Sequence, residues 1–418
     1  MTDGGGRSGP LSDITVIEVA NWVAGPSAGA ILADLGANVI KVEPLDGDSM
    51  RGKLRQPIVE DGSAAEDVPF QLDNRGKRSI AVNLGDERGS ALVRELVAKA
   101  DVFITNLLPG RLERFGLGPE QWRESRPELI YALITGYGSA GPDADRIGFD
   151  LTAFFGRGSI MSLMADPSGE PPAFRPGQGD HPTGLALLSA ILVALRVRDQ
   201  TGQGQVVETA LMRTAAWTIA CDVAPALVDK RQPSLRARKQ AISPMNTRYR
   251  CADGVWVNLA TLNQFLWDKL CAAIERPDLV EDERFATPAA RFRNNCEIIG
   301  LLDEEFAKRR FDEWVAPLDA TGIIWGKVAE LPDLIEDPSA RAMEMFVEVS
   351  DERTGDRFET LAAPFAMSSS EVRVRGRGPG IGEHTNEVLA EMGISPHRIA
   401  ALQDGAVIRT EAITPPAP

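Results

Sequence analysis

The stretch 14–43 reads ITVIEVA at 14–20, NWVAGP at 21–26, SAGAILADLGA at 27–37 and NVIKVE at 38–43. The first and last blocks are β-branched and the third is rich in Ala and Leu, so the stretch predicts strand, turn, helix and strand, a βαβ unit. The pattern recurs with Ser79 to Leu84 as strand, Asp86 to Ala100 as helix, Asp101 to Leu107 as strand, Glu120 to Glu124 as a short helix and Leu129 to Gly136 as strand. Such alternation with short connections predicts an α/β fold, a doubly wound parallel sheet. From Asp180 a long apolar segment runs to Arg198 and stops at TGQG, 201–204, which predicts a helix ended by glycine. A strand, Gln205 to Glu208, and another helix follow.

A chain of 418 residues exceeds the roughly 250 to 300 at which one core stops growing, so two domains are expected. The large domain is read as 11–224, a polar linker with Lys230, Arg231, Arg236, Arg238 and Lys239 as 225–246, and a small α+β domain as 247–329. That domain opens with a hairpin turning at Asp253-Gly254 and continues as amphipathic helices from Asn263 to Leu318. The segment 330–418, with strands around Phe346 to Val349 and Phe358 to Pro364 and a helix from Asn386 to Met392, is read as returning to the large domain. Met1 to Pro10 and Thr414 to Pro418 are read as tails.

At 43% hydrophobic and 25% charged the composition is that of a globular protein. A formal net charge of −15 argues against nucleic acid or an anionic membrane as partner, so an anionic ligand needs a local basic pocket. No leader pattern is read at the N-terminus and no segment is read as bilayer-spanning, which gives a cytoplasmic expectation. Four widely spaced cysteines argue against a zinc site or a disulfide framework, so no metal is expected.

Glu43, ending the second strand of the opening unit, suggests a dinucleotide site in which an acid holds a ribose hydroxyl, but the turn NWVAGP lacks the spaced glycines that approach a pyrophosphate. Hydrolase patterns such as GxSxG and HExxH are absent, and histidine chemistry is scarce with only three histidines. A carboxylate nucleophile remains, and Asp180 stands in GQGDHPTG, 177–184, ahead of the long helix. Two readings stay open there. Asp180 can be a helix N-cap, or a nucleophile kept ionised by helix amides and left open by its glycines. Arg75, Lys77 and Arg78, and Arg111 with Arg114, are cations at element ends that could hold phosphates or lie on a solvated surface. Phe149, Phe154, Phe155, Met161 and Met164 form a bulky apolar series.

AGP at 24–26, LADLGANVIKVE at 32–43, GD at 47–48, NRGKRS at 74–79, Asn106, PG at 109–110, GYG at 136–138, GD at 179–180, TGQGQ at 201–205 and GEHT at 382–385 follow in an order and spacing that resemble the class III CoA-transferase family. The resemblance implies a large Rossmann-like domain, a small domain and an interlocked homodimer. It implies that Asp180 passes CoA between acids through an anhydride and an aspartyl-CoA thioester, with acyl-CoA as substrate and no permanently bound cofactor. It places CoA on Val23, Ala24, Val82, Asn83, Asn106, Leu107, Arg114 and Arg146, Ile147, Gly148, Phe149.

The sequence departs from formyl-CoA transferase at two family cations, matched by Pro44 and Gly85, for which Arg111 or Lys77 would substitute, and in lacking a glycine-rich lid around Ala260 to Gln264. The related racemase branch pairs its acid with a histidine in a Gly-His-Asp segment. Here that segment is Gly148-Phe149-Asp150, and Phe149 moves no proton. A non-catalytic acyl-CoA-binding subunit is the remaining alternative, against which the intact Asp180 speaks. Trp22 and the Phe149 to Met164 series hint at a bulky apolar acyl group.

Overall fold

The computed structural model describes residues 8–52, 67–261, 266–350 and 357–410. Most of both tails, the start of the helical run at Asn263 and three residues of the lid position, 262–264, lie outside the described residues. The chain divides into two compact units, the first comprising Met1–Met161, Ala173–Lys230 and Ser339–Pro418, the second Ser162–Pro172 and Arg231–Pro338.

The first unit is α/β. Strands β1 (Thr15–Val19), β2 (Asn38–Glu43), β3 (Arg78–Val82), β4 (Val102–Thr105), β5 (Ile130–Thr135) and β6 (Val206–Ala210) form a parallel sheet in the order β3-β2-β1-β4-β5-β6. Helices α1 (Ala24–Asp34), α2 (Val68–Asn74), α3 (Glu87–Val97), α4 (Pro109–Phe115) and α5 (Asp180–Thr201) connect or cover it, and α6 (Leu211–Thr218) and α7 (Ala220–Asp229) follow β6.

Successive strand residues point to opposite faces, and both faces are apolar because both are covered. Ile17, Ile40, Phe103 and Tyr131 pack with Leu92, Leu96 and Leu112 of α3 and α4. Their neighbours Val16, Val39, Val102 and Ile130 pack with Leu32 of α1 and Leu188 and Ile191 of α5. Burying each such side chain contributes about 1.5 to 3 kcal/mol. Helix α5 ends where Gly202 takes φ 73°, the left-handed conformation that glycine adopts without a Cβ clash. Contrary to expectation, α5 is long and apolar enough by length and composition to cross a bilayer, and the bent pair α6 and α7 passes the same test jointly. The packing of α5 under the sheet accounts for its apolar inner face.

In the second unit β7 (Asn246–Arg250) and β8 (Trp256–Ala260) form the hairpin, and Gly254 at its turn has φ 88°. A third strand not foreseen, β9 (Trp325–Lys327), pairs with β8 after α8 (Trp267–Ala273), α9 (Asn295–Phe306) and α10 (Phe311–Thr321). The stretch read as linker from 225 begins inside α7. Back in the first unit, β10 (Phe346–Ser350) and β11 (Arg357–Leu361) pair antiparallel. Helices α11 (Thr385–Glu391) and α12 (Pro396–Asp404) add Val388, Leu389, Ile399 and Leu402 to the core, and β12 (Ile408–Arg409) pairs antiparallel with β3.

Candidate active site

The sheet reverses its winding between β1 and β4. In parallel α/β sheets such a switch leaves a crevice outside the carboxyl ends of the strands. The turns after β1, β4 and β5 meet there around a cavity of about 560 Å³ whose walls include Trp22, Leu107, Arg111, Gly136, Phe149 and Asp180. The turns are braced. Asn106 Nδ2 donates to the Asn21 carbonyl at 2.7 Å, and the Asn21 amide donates back to Asn106 Oδ1 at 3.2 Å. The Trp22 amide donates to Asp48 Oδ1 at 3.0 Å, holding Trp22 at φ 70°. Gly136 and Gly148 touch backbone to backbone, since a Cβ on Gly136 would lie 2.9 Å from the Gly148 Cα.

Asp180 is the first residue of α5, and Gly179 takes the N-cap position with no side-chain cap. The capping reading is therefore corrected: among the described residues no helix amide donates to the Asp180 carboxylate. The loop is held by Asp150 instead, whose Oδ2 accepts from the amides of Gly177 (2.7 Å) and Gly179 (3.4 Å). Gly179 is required because its Cβ would stand 2.6 Å from the Phe154 ring. Burial, and then the neighbouring Asp150, push the Asp180 carboxyl up to about 7, with His181 opposing and Asp73 adding to the shift. The expectation that helix amides keep it ionised gives way to desolvation.

Both ring nitrogens of His181 face acceptors, Nδ1 the Gly177 carbonyl and Nε2 Asp73 Oδ1, each at 3.0 Å. Burial pulls against charge on the ring, but Asp73, Gly177 and Asp180 outweigh it and raise His181 above the usual imidazole value. Asp180 thus has a neighbour in which the protonated, cationic form is favoured. Asp73 lies 108 residues away in sequence, and nothing in its local sequence signals the pairing.

The basic segment 75–78 does not reach the cavity. Lys77 is fully buried, with Nζ 2.7 Å from Glu18 Oε2 and 2.8 Å from the Pro26 carbonyl, and Lys41 shares Glu18 at 3.1 Å. Arg75 binds Asp34 at 2.6 Å, and Arg78 binds Glu387 and Glu391. Glu43, the would-be ribose acid, is occupied by Arg51, by the Asp48 amide and by the Ser79 hydroxyl. Glu18, Lys41, Lys77, Asp34 and Arg75 are a buried ion cluster, while Arg78 is partly buried and ties to the exposed Glu387 and Glu391.

Of the residues placed at the CoA site, Ala24, Asn106, Leu107, Ile147, Gly148 and Phe149 line the cavity together with Asp180. Val23 is buried beside Met50 and Phe70, and Val82 lies in the sheet core. Asn83 is exposed, its Oδ1 accepting from the Gly85 amide. Arg146 is exposed over the Tyr137 ring and 3.5 Å from Asp143. Arg114 is exposed on α4, one turn beyond the cavity-lining Arg111, so both cations share a helix face. Ile134, Thr135 and Leu211 also line the cavity, and no sequence pattern singled them out.

A parallel α/β unit with an unpaired carboxylate and helix-borne arginines at its switch crevice suits transfer chemistry on an anionic thioester. The profile of CoA-transferase family III matches residues 11–385, and the chain belongs to that family of enzymes. It is 31% identical to the (R)-2-hydroxy-4-methylpentanoate CoA-transferase of Clostridioides difficile over 96% of this chain and 99% of that one. It is 35% identical to the succinate–glutarate CoA-transferase of Agrobacterium fabrum over 94% and 98%. A CAIB/BAIF family protein from Brucella suis superposes with a TM-score of 0.81 at 33% identity, covering 92% of this chain and 100% of that one.

Proposed function

We propose that this protein transfers CoA from an acyl-CoA to an acceptor carboxylic acid with Asp180 as nucleophile. The observation that carries the reading is the Asp180 carboxylate standing at the cavity wall without a hydrogen-bond partner among the described residues, with its pKa raised by burial. A desolvated carboxylate is a stronger nucleophile than a solvated one. A carboxylate oxygen of Asp180 attacks the thioester carbonyl and the C–S bond breaks, giving an acyl-aspartyl anhydride and CoA thiolate. The thiolate attacks the aspartyl carbonyl, releasing the donor acid and leaving an aspartyl-CoA thioester. The acceptor carboxylate attacks that thioester, and the released thiolate takes the new acyl group and frees Asp180. One thioester replaces another, so the cycle needs no external energy source.

Arg111, which lines the cavity, and Arg114, exposed one turn further along α4, are assigned to the CoA phosphates. The working form is read as a homodimer. Helix α7 buries none of its ten residues although most are apolar, and Trp217 of α6 is 81% exposed. A second copy covering this face would remove that cost. Sedimentation of wild-type protein at micromolar concentration should give a dimer, and a stable folded monomer would refute it. The nucleophile is tested by incubating the enzyme with a donor acyl-CoA and quenching with hydroxylamine. Mass spectrometry should find the hydroxamate on the peptide containing Asp180, and a hydroxamate elsewhere would reassign the nucleophile.

A further inference from the structure

We infer that Trp22 and Phe149 form an aromatic wall that selects acyl groups carrying an aryl or similarly bulky apolar end over dicarboxylic acyl groups. This rests on the proposed transferase reading of the Asp180 cavity. Trp22 sits in the left-handed region at φ 70°, a conformation that costs a bulky L residue free energy and persists only where the surroundings impose it. The surroundings do impose it: its amide is tied to Asp48, and the preceding Asn21 is locked to Asn106. The strained backbone holds the indole edge-on to the Phe149 ring, with centroids 5.3 Å apart at an interplanar angle of 89°. This is the favourable T-shaped geometry for two rings.

Nothing in the fold consumes this pair. Trp22 is 36% and Phe149 47% exposed, both on the cavity that holds Asp180. Large apolar side chains kept half in water beside a reactive group have an unfilled contact face, and strain stored there fits a binding role better than a packing one. The polar lining points the same way. The Asn106 amide is engaged with the Asn21 backbone, the Asn21 side-chain Oδ1 is a buried acceptor without a partner among the described residues and so offers a carboxylate nothing, and the Thr135 hydroxyl accepts from the Gly138 amide. Arg111 is the one cationic side chain among the lining residues, and the nucleotide claims it under the reading above. Among the described residues no second cation lines the cavity to neutralise an ω-carboxylate, whose desolvation would go uncompensated. An aryl end stacks on Trp22 and Phe149 with no such penalty.

The test uses the full-length protein with phenylacetyl-CoA, butyryl-CoA and succinyl-CoA as donors and a common acceptor acid. Each is followed by kcat/KM and by hydroxylamine trapping on Asp180. Wild type should prefer phenylacetyl-CoA to succinyl-CoA, and Trp22→Gly should lower the phenylacetyl to butyryl ratio on the order of 10- to 100-fold. Glycine accepts the left-handed backbone, so the thermal midpoint of Trp22→Gly should not fall, which separates selectivity from folding. Phe149→Ala should lower the same ratio without touching the strained residue. A wild-type preference for succinyl-CoA, or a proportional loss on all donors in both variants, overturns the aromatic wall while leaving an Asp180 adduct in place. Absence of that adduct with every donor overturns the transferase reading as well.

Discussion

The ion cluster beneath α1 and the cavity at the strand ends draw on the same side-chain types, yet they hold their charges in opposite ways. In the cluster Glu18, Lys41, Lys77, Asp34 and Arg75 are buried and each is matched by an opposite charge. The cluster is tight enough that a Cβ on Gly29 of α1 would lie 2.0 Å from Glu18 Oε2. At the cavity Asp180 and Arg111, with Arg114 one turn further along α4, have no ion-pair partner among the described residues. Charges that are fully paired support the fold, while an unpaired, half-buried charge destabilises it and is retained where chemistry needs it. Position relative to partners, and not residue type, separates the two regions.

The sharpest way to break this contrast is Asp180→Asn. Removal of the nucleophile should lower transfer on the order of 10⁴-fold or more. The stability of the fold should move the other way. The folded-state pKa of Asp180 is raised to about 7 from the ordinary 3.8 of an aspartate, so its penalty is absent at low pH, grows as pH rises between these values and is complete above the folded pKa. The variant lacks that penalty and should be more stable than wild type by on the order of 2 kcal/mol at about pH 8, measured by urea unfolding. A variant that still transfers CoA, with deamidation excluded by mass, would remove Asp180 from the mechanism.

Next in size is Lys77→Met in the cluster. It leaves Glu18 with Lys41 as its single cation, which Asp48 also claims, and should cost about 3 to 5 kcal/mol of stability, with little change in KM for CoA in the folded fraction. A KM effect with stability retained would move Lys77 back to the phosphate site. For the cavity, Arg111→Ala and Arg114→Ala should each weaken CoA binding by about 10- to 100-fold, the loss of one charge-assisted hydrogen bond, with unchanged unfolding midpoints. If calorimetry finds CoA affinity unchanged in both, the phosphates lie elsewhere.

The opening βαβ unit was readable because β1 and β2 carry a local signal in their β-branched residues, and flanking glycines with a long apolar helix made Asp180 a candidate whose role that local signal left open. The two basic segments were not separable in this way. Arg75 finds Asp34 across 41 residues and Arg78 finds Glu391 across 313, distances over which no residue pattern in one chain reports contact. The same holds for Asp73 and His181. The capping reading failed by one position, since Gly179 takes the N-cap and Asp180 the first turn, a difference set by the Phe154 ring that only glycine can approach. Strand β9 escaped because three residues are too few to show a period.

The smallest expected effect sits on the boundary between the two regions, at His181, which is paired like a cluster residue but borders the cavity. The groups facing it are Asp73 on α2, the Gly177 carbonyl, and Asp180 on its own helix, with Asp150 acting on Asp180 from the segment before. A cation here holds the Asp180 pKa below where burial, Asp150 and Asp73 alone would put it. Only the ionised carboxylate attacks, so kcat/KM for a donor acyl-CoA should rise with pH along a limb centred near 7 in the free enzyme. In His181→Gln the opposing charge is gone while glutamine can still donate to Asp73. The limb should move up by about one pH unit, because an opposite charge at contact range shifts a carboxyl by about that much or more. Rates at pH values above both limbs should then approach those of wild type. A purely structural histidine predicts a different profile: the rate falls by one factor at every pH and the limb stays near 7, and that result would return His181 to the scaffold.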